Sequence, residues 1–317
     1  MAASGEERDG VPLTHPDEPL FDGANATKRD LIDYMDGVAD RLVPVLEDRP
    51  LSVVRVHRGQ EAFMQKNLPK YTPEWVPRVT LWAETSKRDV TYAMGNDRRT
   101  LIWFANQRAI EYHPTLVRAD DFEHMTHLVL DLDPPDDSFP MAVRAARAVA
   151  ESLKQAGLRG ALKTSGAKGL HIFVPIDATS TMEDAAAAAR AIAQRSEALD
   201  PAIATTAFMK EDRGGKVFID STRVGGATVV AAYSPRLRPN VPVSFPVDWD
   251  GLDDIAPGDF TVHNALEVLG KRDPWKKQMP KPQKLPPDLV DEGHEIPVAR
   301  VQAMHEGKRR ARAKRKT

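Results

Sequence analysis

His127-Leu-Val-Leu-Asp131-Leu-Asp133-Pro134-Pro135 is the stretch on which the reading of this chain turns. Its alternation of leucines and acids has the period of a β-strand, whose side chains point to opposite faces in turn. Leu128, Leu130 and Leu132 then face a core, and Asp131 and Asp133 face the other way. Pro134 and Pro135 cannot donate to a sheet ladder and stop the strand. The Cα atoms of an i, i+2 pair lie roughly 6.5–7 Å apart. Two carboxylates that close repel unless cations sit between them. They can hold one divalent ion, or two ions about 3.5–4 Å apart. Taken alone, the pair fits a solvated strand end equally well.

Three further pieces bear on the choice. Lys216-Val-Phe-Ile-Asp220 reads as a strand with Val217 and Ile219 on one face and Asp220 at its end, either a turn starter or a third metal ligand. In Lys163-Thr-Ser165-Gly166-Ala-Lys168-Gly169-Leu-His171, Gly166 and Gly169 free the backbone to turn its N–H groups toward an anion. Ser165 adds a hydroxyl and Lys168 a point charge, both suited to a triphosphate. Leu170, Ile172 and Val174 make the core face of the next strand and His171 faces opposite. The pattern G-x-x-x-x-G-K-[ST] is absent, and this loop leads into a strand, so it is not a Walker A loop. Arg213, in KEDRGGK, and Arg236, in AYSPRLRP, suit the charge on a transferred or departing phosphate. Singly, each of these residues is more simply a packed or surface side chain; together with the acids they favour chemistry.

Outward from these motifs, residues 1–26 read as an arm, 27–126 as an N-terminal lobe, 127–270 as a catalytic core and 271–317 as a basic Pro- and Lys-rich tail. Thr27 looks like the cap of a helix carrying Leu31, Tyr34, Met35, Val38 and Leu42. Strands are expected over 51–57, 79–84 and 90–94, with a Pro-punctuated loop holding Phe63, Met64, Lys66 and Trp75 between the first two. A helix is expected over 98–108. In the core, strands over 127–133, 161–164, 170–175, 216–220 and 227–231 alternate with helices over 139–156 and 182–199, and a helical segment over 262–269 follows. The class is mixed α/β rather than doubly wound.

The chain has 317 residues and no cysteine, which excludes disulfides, thiolate metal sites and cysteine nucleophiles. No apolar leader or membrane-length run is visible, so a cytoplasmic, nucleoid-associated protein without membrane partners is expected. Net charge is only −2, but it is unevenly spread. Residues 271–317 carry +8, and seven of the last ten side chains are basic. Such a tail is either a solvated end or a salt-dependent phosphate contact.

HLVLDLDPP, KTSGAKGLHIFVPI and KVFID…ATVVAAYSPRLRP…PVSFPVDWDGL, in this order, resemble the polymerase domain of the bacterial non-homologous end-joining ligase. That domain belongs to the archaeo-eukaryotic primase superfamily. The resemblance takes in PLTHPDEPLF, TKRDLIDYMDGVADRL, AFMQKNLP and LIWFANQRAIEYHP, and covers about residues 11–255. It implies a primase-type core with an RRM-like mixed sheet and an N-terminal α/β lobe. It also implies template-directed nucleotide addition on gapped or primer-template DNA, from NTPs or dNTPs, with two Mn²⁺ or Mg²⁺ ions. By resemblance Asp131, Asp133 and Asp220 are the metal-binding, catalytic carboxylates. His113, Ser165, Lys168, Gly169, His171, Arg213 and Arg236 bind the nucleotide, and Lys28, Phe63 and Lys66 bind DNA.

Some positions depart from the family pattern. Met64 stands where a second aromatic is common. Lys28 matches one lysine of a 5′-phosphate pocket, but Glu18 stands at the other, which implies weak discrimination of a 5′-phosphate. The STRVGGAT loop lacks the usual Asn, and Ala232 replaces a proline. No Lys-x-Asp-Gly ligase motif occurs, so a solitary polymerase is expected, with a separate DNA ligase and an end-binding protein as partners. Two rivals are a haloacid-dehalogenase-type phosphatase, whose strand also ends in Asp-x-Asp, and a catalytically weak DNA-end-binding repair module.

Overall fold

The computed structural model describes residues 5–57, 59–83, 87–135, 138–224 and 227–298. The chain divides into two compact units. The first takes in the described residues of 1–123, 163–167 and 225–278; the second takes in those of 124–162, 168–224 and 279–317. The units therefore do not follow the linear boundaries at 126 and 270. In the first unit Thr164 N donates to Phe245 O at 2.8 Å and Ala231 N donates to Tyr112 O at 2.9 Å, which ties 163–167 and the 225–278 stretch to the N-terminal segment.

The first unit opens with β1 (Glu7–Arg8) and β2 (Val11–Pro12), a two-stranded pair, and then α1 (Lys28–Leu46). Next come β3 (Leu51–Arg55), β4 (Phe63–Gln65), β5 (Arg78–Ala83), β6 (Arg88–Ala93), α2 (Arg98–Asn106) and β7 (Ala109–Pro114). The sheet order is β4-β3-β6-β5, with β7 also paired to β3. Thr27 caps α1 in a reciprocal box with Asp30, two orphan donors satisfied at once. Helical spacing then buries Leu31, Tyr34, Met35, Val38 and Leu42. Residues 5–26 do not form a free arm, because Val11, Leu13 and Leu20 are buried.

The second unit holds β8 (His127–Asp133), α3 (Phe139–Gln155), the first half of the edge strand β9 (Ala161–Thr164), β10 (Leu170–Pro175), α4 (Met182–Leu199), β11 (Ala204–Thr205) and β12 (Val217–Asp220). The sheet order is β11-β12-β8-β10-β9. β8 is antiparallel to both neighbours, and only β11 and β12 run parallel. The sheet is mixed, as expected, and the antiparallel setting of β8 removes the Rossmann-like core that the phosphatase reading requires. Leu128, Leu130, Leu132, Leu170, Ile172 and Ile219 are buried. The alanines of α3 and α4 let both helices approach that face closely; Ala142, Ala146, Ala188 and Ala191 are fully buried. Truncating one such leucine to alanine costs about 2–5 kcal/mol.

The stretch after 260 corrects the tail reading. α5 (Ala265–Leu269) and α6 (Pro274–Gln278) belong to the first unit, where Trp275 is buried and its N–H donates to Tyr233 Oη at 3.2 Å. α7 (Pro287–Glu295) lies on α4 in the second unit with Leu289 buried. A few apolar anchors order a run whose composition reads as linker. The basic residues 308–317 lie outside the described residues. The strand expected over 227–231 is an isolated bridge, Thr115 to Thr228, flanked by two hydrogen bonds onto the end of β7.

Candidate active site

The chemistry-bearing face of the second unit follows from strand register. Asp131 on β8 stands opposite His171 on β10 and opposite Asp220 on β12. Directly opposed residues share a face, and Asp133 lies on it by the i, i+2 rule. The three carboxylates expected to act together are therefore on one face, behind the leucines that bury the other. Gly169 is part of this register: a Cβ there would sit 2.0 Å from Leu132 O, so only glycine lets β10 start this close to β8.

Each acid meets a base. His171 Nε2 lies 3.2 Å from Asp131 Oδ1, and Arg223 Nη2 lies 3.2 Å from Asp131 Oδ2 and 3.5 Å from Asp220 Oδ2. Asp133 faces Lys168 Nζ at 3.3 Å and Arg213 Nη1 at 3.1 Å. Arg213 also lies over the Phe218 ring, 3.9 Å from its centroid, and donates to Phe208 O. Asp220 Oδ1 accepts from the N–H and the hydroxyl of Thr222 at 2.8 and 2.6 Å. Burial would raise the Asp131 pKa, but His171 and Arg223 reverse the effect and hold it well below the usual carboxylate range.

The donor set fits a hard divalent cation. Carboxylate oxygens are the ligands such ions prefer, and Arg223 already places positive charge between Asp131 and Asp220. Among the described residues no three acidic or imidazole side chains converge as a ready-made cage.

The remaining nucleotide candidates fall in the first unit. Gly166 has φ +65°, and a Cβ there would come within 2.6 Å of Arg236 Cγ and 2.9 Å of Ser244 N. Arg236 Nη1 donates to Ser165 O, and its Nε lies 3.1 Å from Glu111 Oε1. His113 Nε2 lies 2.8 Å from Glu111 Oε2. In the first unit Ser165 meets Arg236; in the second, Lys168 and His171 meet the acids.

Of the DNA candidates, Phe63 on β4 and Lys66 are exposed, whereas Lys28 is buried. Lys28 Nζ donates to Thr14 Oγ1 at 2.9 Å and to Thr14 O. Burial and nearby Arg108 push its pKa down to about 8, against the pull of Glu18. Arg223 and Glu111 are the site residues to which the sequence reading gave no role, although both lie in the segments STRVGGAT and LIWFANQRAIEYHP. Glu111 was open to the same alternation signal as Asp131 and Asp133, since it and His113 are i, i+2 on β7. Arg223 lies in an irregular loop, where no periodicity operates.

The chain matches the family described as LigD, primase-polymerase domain, over residues 27–275. It is 35% identical over 283 residues to the multifunctional non-homologous end joining DNA repair protein LigD of Mycobacterium tuberculosis, covering 86% of this chain and 37% of that protein. It is 30% identical over 268 residues to the bifunctional non-homologous end joining protein LigD of Bacillus subtilis, covering 83% of this chain and 43% of that protein. The chain thus spans well under half the length of these relatives. The solved polymerase domain of Mycobacterium tuberculosis ligase D in complex with DNA superposes with a TM-score of 0.75 at 31% identity, covering 87% of this chain and 100% of that one. These matches show that the chain belongs to the LigD primase-polymerase domain family, whose members are DNA-repair nucleotidyltransferases.

Proposed function

We propose that this chain extends primers and fills short gaps in DNA during end joining, adding nucleotides, ribonucleotides included, under the direction of a template. The observation that carries the reading is the register of Asp131 against Asp220, which sets three acids on one face of a sheet whose other face is sealed. Asp131, Asp133 and Asp220 would hold two Mn²⁺ or Mg²⁺ ions. Ions so held neutralise phosphate oxygens and lower the pKa of an attacking hydroxyl. His171 fixes Asp131, and Thr222 fixes Asp220, so neither carboxylate has to be ordered when substrate arrives. Lys168 and Arg213, which rest on Asp133, are the cations available to the triphosphate and to departing pyrophosphate. The His113, Ser165 and Arg236 cluster adds donors for the nucleotide. Phe63 and Lys66, exposed on and beside β4, supply a stacking surface and a phosphate contact for DNA. A separate ligase and an end-binding protein would complete repair.

The test is extension of matched gapped, recessed and unprimed DNAs with rNTPs and dNTPs in Mn²⁺ and Mg²⁺. Addition that follows the template and ceases with a chelator is expected. Addition in the chelator, or none under any condition, refutes the reading.

A further inference from the structure

Glu111 is buried on β7, its side chain only 11% exposed, and three groups of the first unit converge on it. His113 Nε2 is 2.8 Å from Oε2, Leu237 N donates to Oε1 at 2.9 Å, and Arg236 Nε forms an ion pair with Oε1 at 3.1 Å. The Arg236 contact lacks the angle of a hydrogen bond, so it is the charge that holds it. Burial alone would raise the Glu111 pKa; His113, Arg236 and the Leu237 amide together lower it to about 2. The group is a fixed anion at any pH near neutrality.

One carboxylate thus joins a strand residue to a segment more than a hundred positions later. Arg236 is fixed twice, by Glu111 at Nε and by Ser165 O at Nη1, which leaves Nη2 outside its described contacts. His113 is fixed at Nε2, which leaves Nδ1. A planar guanidinium and an imidazole held by their inner nitrogens present their outer ones in a set geometry, the arrangement that a phosphate oxygen pair requires.

We propose that Glu111 is the positioning residue of the nucleotide cluster: it presents Arg236 and His113 together as one phosphate-binding unit for the incoming triphosphate. This rests on the polymerase reading above. Glu111 itself touches no substrate; for Nδ1 of His113 to donate to a phosphate while Nε2 donates to Glu111, the ring must carry both protons, and the buried anion then offsets its repulsion with Arg236 and holds both donors in place.

The experiment compares wild type, Glu111→Gln, His113→Ala and the double variant in templated extension, with nucleotide KM, kcat, equilibrium DNA binding and Tm recorded. Glu111→Gln keeps the shape and removes the charge. It should raise nucleotide KM about tenfold, with kcat changed less than about threefold and DNA binding unmoved. His113→Ala made on top of Glu111→Gln should add little further, because the histidine is already unfixed. An unchanged KM, or KM effects of the two substitutions that multiply independently, overturns the proposal. If Glu111→Gln fails to fold, Glu111→Asp is measured instead; it keeps the charge, shortens the reach and should raise KM several-fold, and an unchanged KM there is equally fatal. Wild-type extension separates the two levels. No templated addition by wild type defeats the polymerase reading, whereas wild-type addition with an indifferent Glu111 variant defeats only this inference.

Discussion

The acids of the two units are neutralised in different ways. In the second unit each of two acids has one exposed and one hidden partner: Asp133 meets Lys168, 40% exposed, and Arg213, 19% exposed, while Asp131 meets Arg223, 40% exposed, and His171, 6% exposed. In the first unit Glu111 meets His113 and Arg236, which are nearly as hidden as itself. Exposed ion pairs are worth about 0–1 kcal/mol, because water readily takes back a long cationic side chain. Removing one partner from a buried pair costs about 3–5 kcal/mol, because the other charge is left stranded. Lys168 and Arg223 therefore leave their acids easily, as the approach of metal and nucleotide requires, while His171 and Arg213 stay and keep the carboxylates in place. Glu111 keeps its partners, as a brace must. Both patterns are acid-plus-base clusters with a hidden base, and the further exposed base on Asp131 and on Asp133 is what tells them apart.

The largest effect that could break this contrast is on catalysis. Asp131→Ala with Asp133→Ala should lower extension by more than about 10³-fold, since metal-based charge stabilisation supplies several kcal/mol. Folding and DNA binding should survive, because the leucine face and not the acid face packs against α3 and α4. Retained polymerisation would remove the metal assignment and with it the distinction between the two clusters.

Titration sharpens the contrast on a smaller scale, through stability. Glu111 has a folded pKa of about 2, below the unfolded value, so its contribution is complete above the unfolded pKa of about 4.3 and is lost as pH falls through 2. The displacement corresponds to roughly 3 kcal/mol at most, and Glu111→Gln should flatten the acid limb of a Tm-against-pH curve between about pH 5 and 2. Lys28 gives a slope of the same sign for the opposite reason, a cost at neutral pH that is relieved as pH rises. Its folded pKa of about 8 lies below the unfolded value of about 10.4, so the unfolded state binds more protons between those values and stability should rise with pH there. Lys28→Met should abolish that rise. A wild-type curve flat from pH 8 to 10 would show that Lys28 is not held as the buried amine described.

Much of this was legible in the sequence, and the part that was not has a physical reason. The period-2 alternation of 127–133 and 170–175 located β8 and β10 to the residue, the cap at Thr27 located α1, and the alanine-rich run 182–199 located α4, because these signals are local. Which strands are neighbours is not local: that β8 lies between β10 and β12, so that Asp131 meets both His171 and Asp220, appears only in the register. Composition misled at both ends. Prolines and charges between 271 and 298 hid Trp275, Leu285 and Leu289, each buried, and similar composition at 5–26 hid Leu13 and Leu20. Lys28, which the family resemblance implies for a 5′-phosphate pocket, is buried and donates to Thr14, a placement that no local pattern announces.

That last point changes what Glu18 does, and it gives the smallest effect. Glu18 stands where the family resemblance implies a second phosphate-binding lysine, which makes Glu18→Lys the natural way to restore discrimination between 5′-phosphate and 5′-hydroxyl gaps. In the structure Glu18 Oε2 accepts from Arg108 Nη2 at 2.9 Å, and Glu18 eases the charge on buried Lys28. With Arg108 and His57 it lines a cavity of about 260 Å³ in the first unit. Replacing it by lysine places a third cation beside Arg108 and Lys28, so a gain in phosphate attraction comes with repulsion among the protein's own charges. Each partly exposed pair is worth about 0.2–1 kcal/mol. Discrimination should therefore rise by no more than about fivefold, and Tm should fall. Glu18→Gln, which removes the repulsive anion without adding a cation, should raise discrimination by less and leave Tm closer to wild type. Binding and extension on paired gaps differing only in the 5′ group, at fixed ionic strength, measure the first quantity, and thermal unfolding the second. Strong discrimination by wild type that neither substitution alters would mean that Arg108 already serves the phosphate while bound to Glu18, and that this half-buried carboxylate is held as firmly as Glu111.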